Sequence, residues 1–346
     1  MKKTATLIAM SGGVDSAAAA LLCQKAGYVC AGGTMRLHES DAAERDRIDA
    51  RRMAEALSMP FFEFDLTDAF VKQVIAPFVA SYEEGFTPNP CLFCNRTLKF
   101  GALMQLAEAE GYPFVATGHY ARIEEAGGRM LLKKGLDLSK DQSYVLYFLS
   151  QEQLRRVRFP LGEFRKEEIR RMAEEAGLVS ARKSDSQDIC FIPDGDYAAF
   201  IQNHTGKCYP EGAFVTREGA VLGTHKGLIR YTIGQRKGLG LALPSPLYVC
   251  EKNVAENRVV LCPNEGLFSR TVEAKESNWI ACEPPTQPLR VWAKIRYRQV
   301  EQPATVVATG EDTFRVEFDE PQRAVTPGQA VVLYDGDVVV GGGTIC

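Results

Sequence analysis

The chain has 346 residues, 45% of them apolar and 25% charged, and a net charge of −3. At roughly 150 residues per domain it holds two or three domains with a sizeable core, and this mixture excludes a disordered, collagenous or low-complexity protein. The near-neutral balance excludes a global basic field, so any nucleic-acid surface has to be a local patch.

Ten cysteines fall short of a disulfide scaffold, where their density exceeds about 8%. A domain of this size needs no staples, so a reducing compartment with free thiols is expected. Met1-Lys2-Lys3 followed by Thr4–Met10 imitates the start of a signal peptide, but Ser11-Gly12-Gly13 and Asp15 break the apolar run. No apolar stretch reaches the ~18–20 residues of a membrane span. The reading is a cytoplasmic protein with neither a membrane nor a DNA partner.

Thr6–Met10 reads as a buried strand, Val14–Ala26 as a helix and Tyr28–Thr34 as a second strand. Ala43–Leu57 follows as an amphipathic helix, Phe61–Leu66 as a third strand and Ala69–Tyr82 as another helix. A Pro-rich loop at Gly85–Pro90 precedes a helix over Asn95–Ala109 and a strand at Phe114–Thr117. This alternation predicts an α/β fold with a parallel sheet covered on both faces. Ligands of such sheets bind outside the carboxyl ends of the strands, so Ser11–Ser16, Met35 and Gly118-His119 should share one rim.

Beyond this, Glu163–Ala176 reads as a charged helix, and the polar stretch Ser180–Ile192 ends the first domain, 1–194. Residues 195–245 have no long helical pattern and form a small central domain. From 246 to 346 seven short strands separated by turns predict an antiparallel β-barrel. They are Leu247–Glu251, Arg258–Leu261, Arg290–Tyr297, Ala304–Ala308, Phe314–Phe318, Ala330–Tyr334 and Val338–Gly341.

Met10-Ser11-Gly12-Gly13-Val14-Asp15-Ser16 lies between a strand and a helix. Paired glycines let the backbone approach a ligand, and successive amides at a helix N-terminus form an anion site. Asp15 repels phosphate unless a divalent cation intervenes, which implies Mg²⁺. The string is neither a Walker loop nor the dinucleotide fingerprint. It closely resembles the signature of the ATP pyrophosphatase (PP-loop) superfamily, whose members adenylate an oxygen and release pyrophosphate.

Asn89-Pro90-Cys91-Leu92-Phe93-Cys94-Asn95 places a C-x-x-C at a helix start, where the helix N-terminus should acidify a thiol. Cys190 lies between a polar loop, Ser184–Asp188, and the apolar Phe191-Ile192. Cys23, Cys30, Cys250 and Cys282 read as small hydrophobes. Cys208, Cys262 and Cys346 carry no motif.

Asn89-Pro90…Cys94-Asn95, Ala116–Tyr120, Lys140–Tyr144, Asp188–Ile192, Tyr231–Gly238 and Val325–Gln329, together with Ser11–Ser16, run in order along the whole chain. The set resembles the bacterial tRNA-specific 2-thiouridylases. That resemblance implies adenylation of the carbon-2 oxygen of a tRNA wobble uridine, after which sulfur displaces AMP. In a persulfide route Cys190 carries sulfur from a persulfide or sulfide donor protein, and Cys94 is its partner, the two ending as a disulfide. The family's common form has Asp where this chain has Cys91. A cysteine there is a poorer base and a better soft-metal ligand, so Cys91, Cys94 and Cys190 could instead hold a 4Fe–4S cluster or a structural zinc ion.

The same resemblance assigns ATP to Ala9, Met10, Ser11, Gly12, Gly13, Val14, Asp15, Ser16, Met35 and Gly118. It assigns tRNA contacts to Asn89, Pro90, Cys91, His119, Lys140, Asp141, Gln142, Arg296, Tyr297 and Gln329. Basic runs at Arg155–Arg158, Arg165-Lys166, Arg170-Arg171, Arg182-Lys183, Gln235–Lys237 and Lys294–Arg298 suit phosphates, with aromatic neighbours for unpaired bases. Two other readings are open: a PP-loop amide-forming synthetase, which leaves the cysteines without a role, and a non-catalytic RNA-binding protein with a zinc clip, which leaves Asp15 unexplained.

Overall fold

A computed structural model of the chain describes residues 4–178 and 189–346. Met1–Lys3, Arg182-Lys183 and Ser184–Asp188 lie outside the described residues.

β1 (Ala5–Ala9) leads into α1 (Val14–Lys25), β2 (Val29–Arg36) into α2 (Asp41–Ala56), and β3 (Phe61–Asp65) into α3 (Thr67–Phe70). The chain stays helical through a wide π segment at Val71–Ile75 into α4 (Ala76–Glu83). In the same way α5 (Pro90–Phe93) runs through a π segment at Cys94–Ala102 into α6 (Leu103–Ala109). After β4 (Phe114–Ala116) come a hairpin of β5 (Ala121–Ala126) and β6 (Arg129–Lys134), then α7 (Gln151–Arg156), β7 (Val157–Arg158) and α8 (Lys166–Glu175).

β3-β2-β1-β4-β7 form a parallel sheet, as expected. Its centre is apolar on both sides because both faces are covered. Leu7 packs with Phe100, Leu103 and Val115 on one face, and Ile8 packs with Ala17–Ala20 and Met53 on the other. Local signals start the helices: Ser40 Oγ accepts from the Ala43 amide at 3.1 Å, and Asn89 Oδ1 accepts from the Cys91 amide at 3.1 Å with Pro90 in the first turn.

The central unit holds a helix that the sequence reading did not anticipate, α9 (Tyr197–Thr205). It has only nine residues, started by Asp196 Oδ1 on the Ala199 amide at 2.9 Å and ended by left-handed Gly206. β8 (Gly212–Thr216), β9 (Val221–His225), β10 (Tyr248–Asn253) and β11 (Arg258–Cys262) follow, in the order β10-β11-β8-β9. β11 pairs in parallel with β8, from Arg258 opposite Ala213 to Leu261 opposite Thr216. That pairing moves the first two strands expected for the barrel into the central sheet.

The barrel proper is β12 (Phe268–Trp279), β13 (Leu289–Lys294), β14 (Gln302–Ala308), β15 (Thr313–Arg323), β16 (Ala330–Asp335) and β17 (Val338–Ile345). Its order β12-β15-β14-β13-β16-β17 closes through β12–β17 pairing. β12 escaped the sequence reading because only Val272 and Ala274 of its length are buried, amid charged neighbours. Closure needs glycine on β17: a β-carbon on Gly341 would stand 2.3 Å from the Asn278 carbonyl oxygen.

Two of the links between the α/β unit and the barrel bear on the site. The β5–β6 hairpin adds to the edge of β17, where Val338 faces Lys133 and Arg122 meets Asp337 at 2.7 Å. The loop before α5 is clamped from the barrel: the Thr87 amide donates to Pro327 O at 2.9 Å, and Gln329 Nε2 donates to Thr87 O at 2.6 Å.

Candidate active site

The loop after β1 closes on itself. Ser16 Oγ donates to Gly13 O at 2.9 Å and accepts from the Ser11 amide at 3.2 Å. Gly12 has φ +73°, and a β-carbon there would lie 2.3 Å from Asp46 O of α2. Only glycine fits that left-handed and crowded position. Gly13 caps α1 without a side-chain acceptor, which leaves the first-turn amides for an anion. Parallel register sets Ala9 beside Gly33 and Ile8 beside Ala116, so Met35 and Gly118 emerge at the same strand ends as the loop. Ser11 is exposed, Ala9, Gly13, Asp15 and Met35 are half-buried, and Met10, Gly12, Val14 and Ser16 are buried. The expected rim is present.

Asp15 does not stand alone in this anion site. Lys166 Nζ lies 2.8 Å from its Oδ1 and 2.7 Å from its Oδ2, and Tyr120 OH donates to Oδ1 at 2.9 Å. The Lys166 side chain is 8% exposed and the Asp15 side chain 31%. Charge clustering had put Lys166 in a surface run with Arg165; instead it faces inward from the first turn of α8. A repelling carboxylate was the sequence argument for Mg²⁺, and a lysine already supplies that counter-charge. One partly exposed carboxylate still suits a hard cation that arrives with phosphates and takes few protein ligands.

The cysteines share a neighbourhood. Cys91 lies in the first turn of α5, Cys94 opens the π segment, and Cys190 lies in the segment before α9. Cys91 and Cys190 are exposed and Cys94 is half-buried. Burial of the thiol heads pushes all three upward, Cys190 to about 12, with Cys94 and Cys91 adding repulsion there. The expected acidification is therefore not seen: loss of water outweighs the opposing charge of Lys99, which reaches all three thiols. Among the described residues no three His, Cys, Asp or Glu side chains group as metal ligands. Cys91 and Cys94 sit one helical turn apart, and Cys190, from another segment, lies close enough to feel both, but the three do not converge on a common point that would hold a cluster or a zinc ion.

Residues expected at tRNA divide into available and occupied. Tyr297 is 38% exposed, lies 5.9 Å ring to ring from Tyr144, and is close enough for Cys91 to perturb its hydroxyl. Asn89 is half-buried and spends its Oδ1 on the helix cap, Pro90 is buried, and Lys140 is half-buried. His119, expected on the surface, is 7% exposed. Its ring lies 5.7 Å from Phe100 and 5.9 Å from Phe159, with Nδ1 2.6 Å from Thr117 Oγ1. Burial, aided by Lys99, holds it well below the ordinary histidine value.

Asp141 also turns inward: it accepts from the Gly135 and Ser143 amides and from Ser143 Oγ. Gln142 Oε1 accepts from the Tyr120 amide at 3.0 Å. Arg296 donates to the Arg323 and Ala324 carbonyls, and Gln329 is the Thr87 clamp. These four act as struts beneath the site. Arg236, Lys237 and Arg298 remain exposed. Sequence reasoning missed Tyr120, Lys166 and Lys99 as parts of the site; the unmet charge of Asp15 was the one signal pointing to a partner.

Three family models match successive parts of the chain: a tRNA methyl transferase HUP domain at residues 4–194, a tRNA methyl transferase PRC-barrel domain at 198–263, and an aminomethyltransferase beta-barrel domain at 269–345. The chain is 46% identical to the tRNA-specific 2-thiouridylase MnmA of Clostridioides difficile, over 98% of this chain and 97% of that one. It is 48% identical to the MnmA of Syntrophotalea carbinolica, over 98% and 97%. Among solved structures it is similar to the U34-tRNA thiolase NcsA from Methanococcus maripaludis with its 4Fe–4S cluster, at TM-score 0.38 and 17% identity, over 59% of this chain and 66% of that one. That cluster belongs to the Methanococcus maripaludis protein.

Proposed function

The chain belongs to the tRNA-specific 2-thiouridylase family, a PP-loop enzyme that makes 2-thiouridine in tRNA at the expense of ATP, and from that premise we propose how its residues divide the work. ATP lies across Ala9–Ser16, Met35 and Gly118, with its phosphates on the open amides of α1. Asp15 would hold Mg²⁺, which supplies charge neutralisation at those phosphates. The wobble uridine enters beside Asn89, Pro90 and Cys91, and Tyr297 offers an aromatic face on the barrel side.

The carbon-2 oxygen of the uridine attacks the α-phosphorus and pyrophosphate leaves, which converts a poor leaving group into AMP. Cys190 carries the outer sulfur of a persulfide given by a donor protein. That sulfur attacks carbon 2 and AMP departs with the C–O electrons. Cys94 then attacks Sγ of Cys190, its proton leaving to solvent. A Cys94–Cys190 disulfide forms and the new sulfur stays on the base. An external dithiol reduces the disulfide before the next turnover. Cys94 lies close enough to push the Cys190 thiol up, ahead of Cys91 in that effect, which supports this pairing, and no step is assigned to a cluster. This chemistry suits a reducing cytoplasm; no helix among the described residues is long and apolar enough to cross a membrane.

The observation that carries the reading is the junction of the Ser11–Ser16 loop with Gly118, at the strand ends from which a nucleotide would be held. Its test is pyrophosphate release with and without tRNA, together with mass analysis of the digested tRNA. Release that requires tRNA, with a gain of sulfur for oxygen in uridine, is expected. Release without RNA would favour an amide-forming synthetase instead.

A further inference from the structure

Lys166 is a buried cation at the nucleotide loop, its side chain 8% exposed, and nothing in the proposed chemistry uses it. A lysine almost fully withdrawn from water is tolerated when an anion pairs with it, and here the pairing is two-sided, at 2.8 and 2.7 Å to the two Asp15 oxygens. The position is built. The Lys166 amide donates to Asp137 Oδ2 at 3.0 Å, and the Arg165 amide donates to Glu168 Oε2 at 2.7 Å, which fixes the start of α8. Tyr120 completes the arrangement, with its hydroxyl on Asp15 and its ring centroid 5.7 Å from the ammonium. Asp15 itself stands in the first turn of α1, where Gly13 leaves the amides open.

We infer that Lys166 is the resident counter-ion of Asp15, and that it is exchanged for a divalent cation as the nucleotide arrives. This rests on the nucleotide reading of the loop. Ammonium and metal ion compete for the same two oxygens, so they cannot both hold Asp15 at full strength. Before binding, the ion pair keeps the carboxylate from repelling phosphate. When a cation takes the carboxylate, the ammonium is released on a flexible four-carbon stem. It is then free to meet the phosphates gathered on the amides beside it. Lys166 thus masks Asp15 until the metal arrives and becomes a binding residue for the nucleotide once released.

The test uses the full chain and Mn²⁺ as the probe, measured by electron paramagnetic resonance without nucleotide. If the lysine occupies Asp15 nine-tenths of the time, its removal unmasks about tenfold in metal affinity. Lys166→Gln should therefore bind Mn²⁺ about tenfold more tightly than the parent, Lys166→Arg should stay near it, and Asp15→Asn should lose the site. A non-hydrolysable ATP analogue with saturating Mn²⁺ should bind Lys166→Gln more weakly than the parent. Damage to the fold would weaken both ligands, whereas the exchange moves them in opposite directions. Melting curves accompany each variant, and Lys166→Met, better suited to a buried site, serves if Lys166→Gln melts early. Equal Mn²⁺ affinity in the parent and in folded Lys166→Gln or Lys166→Met overturns the inference. A parent that fails to bind the analogue at all overturns the nucleotide reading instead.

Discussion

Gly118 lies so close to Asp15 that a β-carbon at position 118 would stand 2.8 Å from the Asp15 carbonyl carbon and 3.0 Å from the Ser16 amide nitrogen. The loop after β4 and the loop after β1 are in effect one surface, in contact through a backbone without a side chain. Gly118→Ala should push them apart, at a cost of about 1–3 kcal/mol in stability, and should weaken an ATP analogue by about tenfold, or 1.4 kcal/mol. Calorimetric titration beside a thermal melt reads both, and an unchanged affinity would separate Gly118 from the nucleotide.

The two halves of the reaction should separate by mutation. Cys190→Ala and Cys94→Ala should retain tRNA-dependent pyrophosphate release and lose thiolation, whereas Asp15→Ala should lose both. Paired assays of pyrophosphate and 2-thiouridine measure this. A Cys190→Ala protein that still thiolates removes that cysteine from sulfur transfer.

Cys190 should be a slow nucleophile in the resting protein. With its thiol pushed up to about 12, the thiolate is about one part in ten thousand at pH 8. Alkylation by iodoacetamide, followed by peptide mass mapping, should rise about tenfold per pH unit from 7 to 10. A plateau near pH 8 would reveal an acidic thiol and an activating charge stronger than Lys99. A persulfide, a stronger acid than its parent thiol, therefore suits this site as the attacking form.

Lys252 links stability to pH. Its Nζ donates to Phe86 O at 3.3 Å and to Tyr231 O at 3.0 Å, and burial pulls it down from 10.5 to about 8. Between those values the unfolded chain binds the proton that the folded chain has released, so stability rises with pH through the window. Relative to Lys252→Met, the parent should gain on the order of 1–3 kcal/mol between pH 8 and 10. Urea melts of the two proteins at matched pH give the difference, and parallel profiles would show that Lys252 stays charged in the fold.

The parallel sheet was legible because β1 is apolar on both faces, and the nucleotide loop because Gly12 and Gly13 stand at a strand-to-helix junction. β12 was not, since a barrel strand with an outward charged face resembles a surface loop. The burial of His119 depends on Phe100 and Phe159, which no local pattern connects to it. Lys166 meets Asp15 across 151 residues, and from sequence alone it was indistinguishable from the solvated lysines and arginines around it. The charge requirement was readable, while the choice of a lysine to meet it follows from how α8 packs on α1.

The clamp on Thr87 has a consequence for the order in which the protein becomes competent. Gln329 follows Thr87 by 242 residues, and a ribosome adding about 5–20 residues per second needs about 12–50 s to bridge that interval. Throughout it, the nascent chain carries a complete nucleotide loop and its helix cysteines, while the segment leading into that helix still lacks its anchor. The segment leading to Cys91 and Cys94 therefore acquires its barrel anchor only once Gln329, between β15 and β16, has been translated.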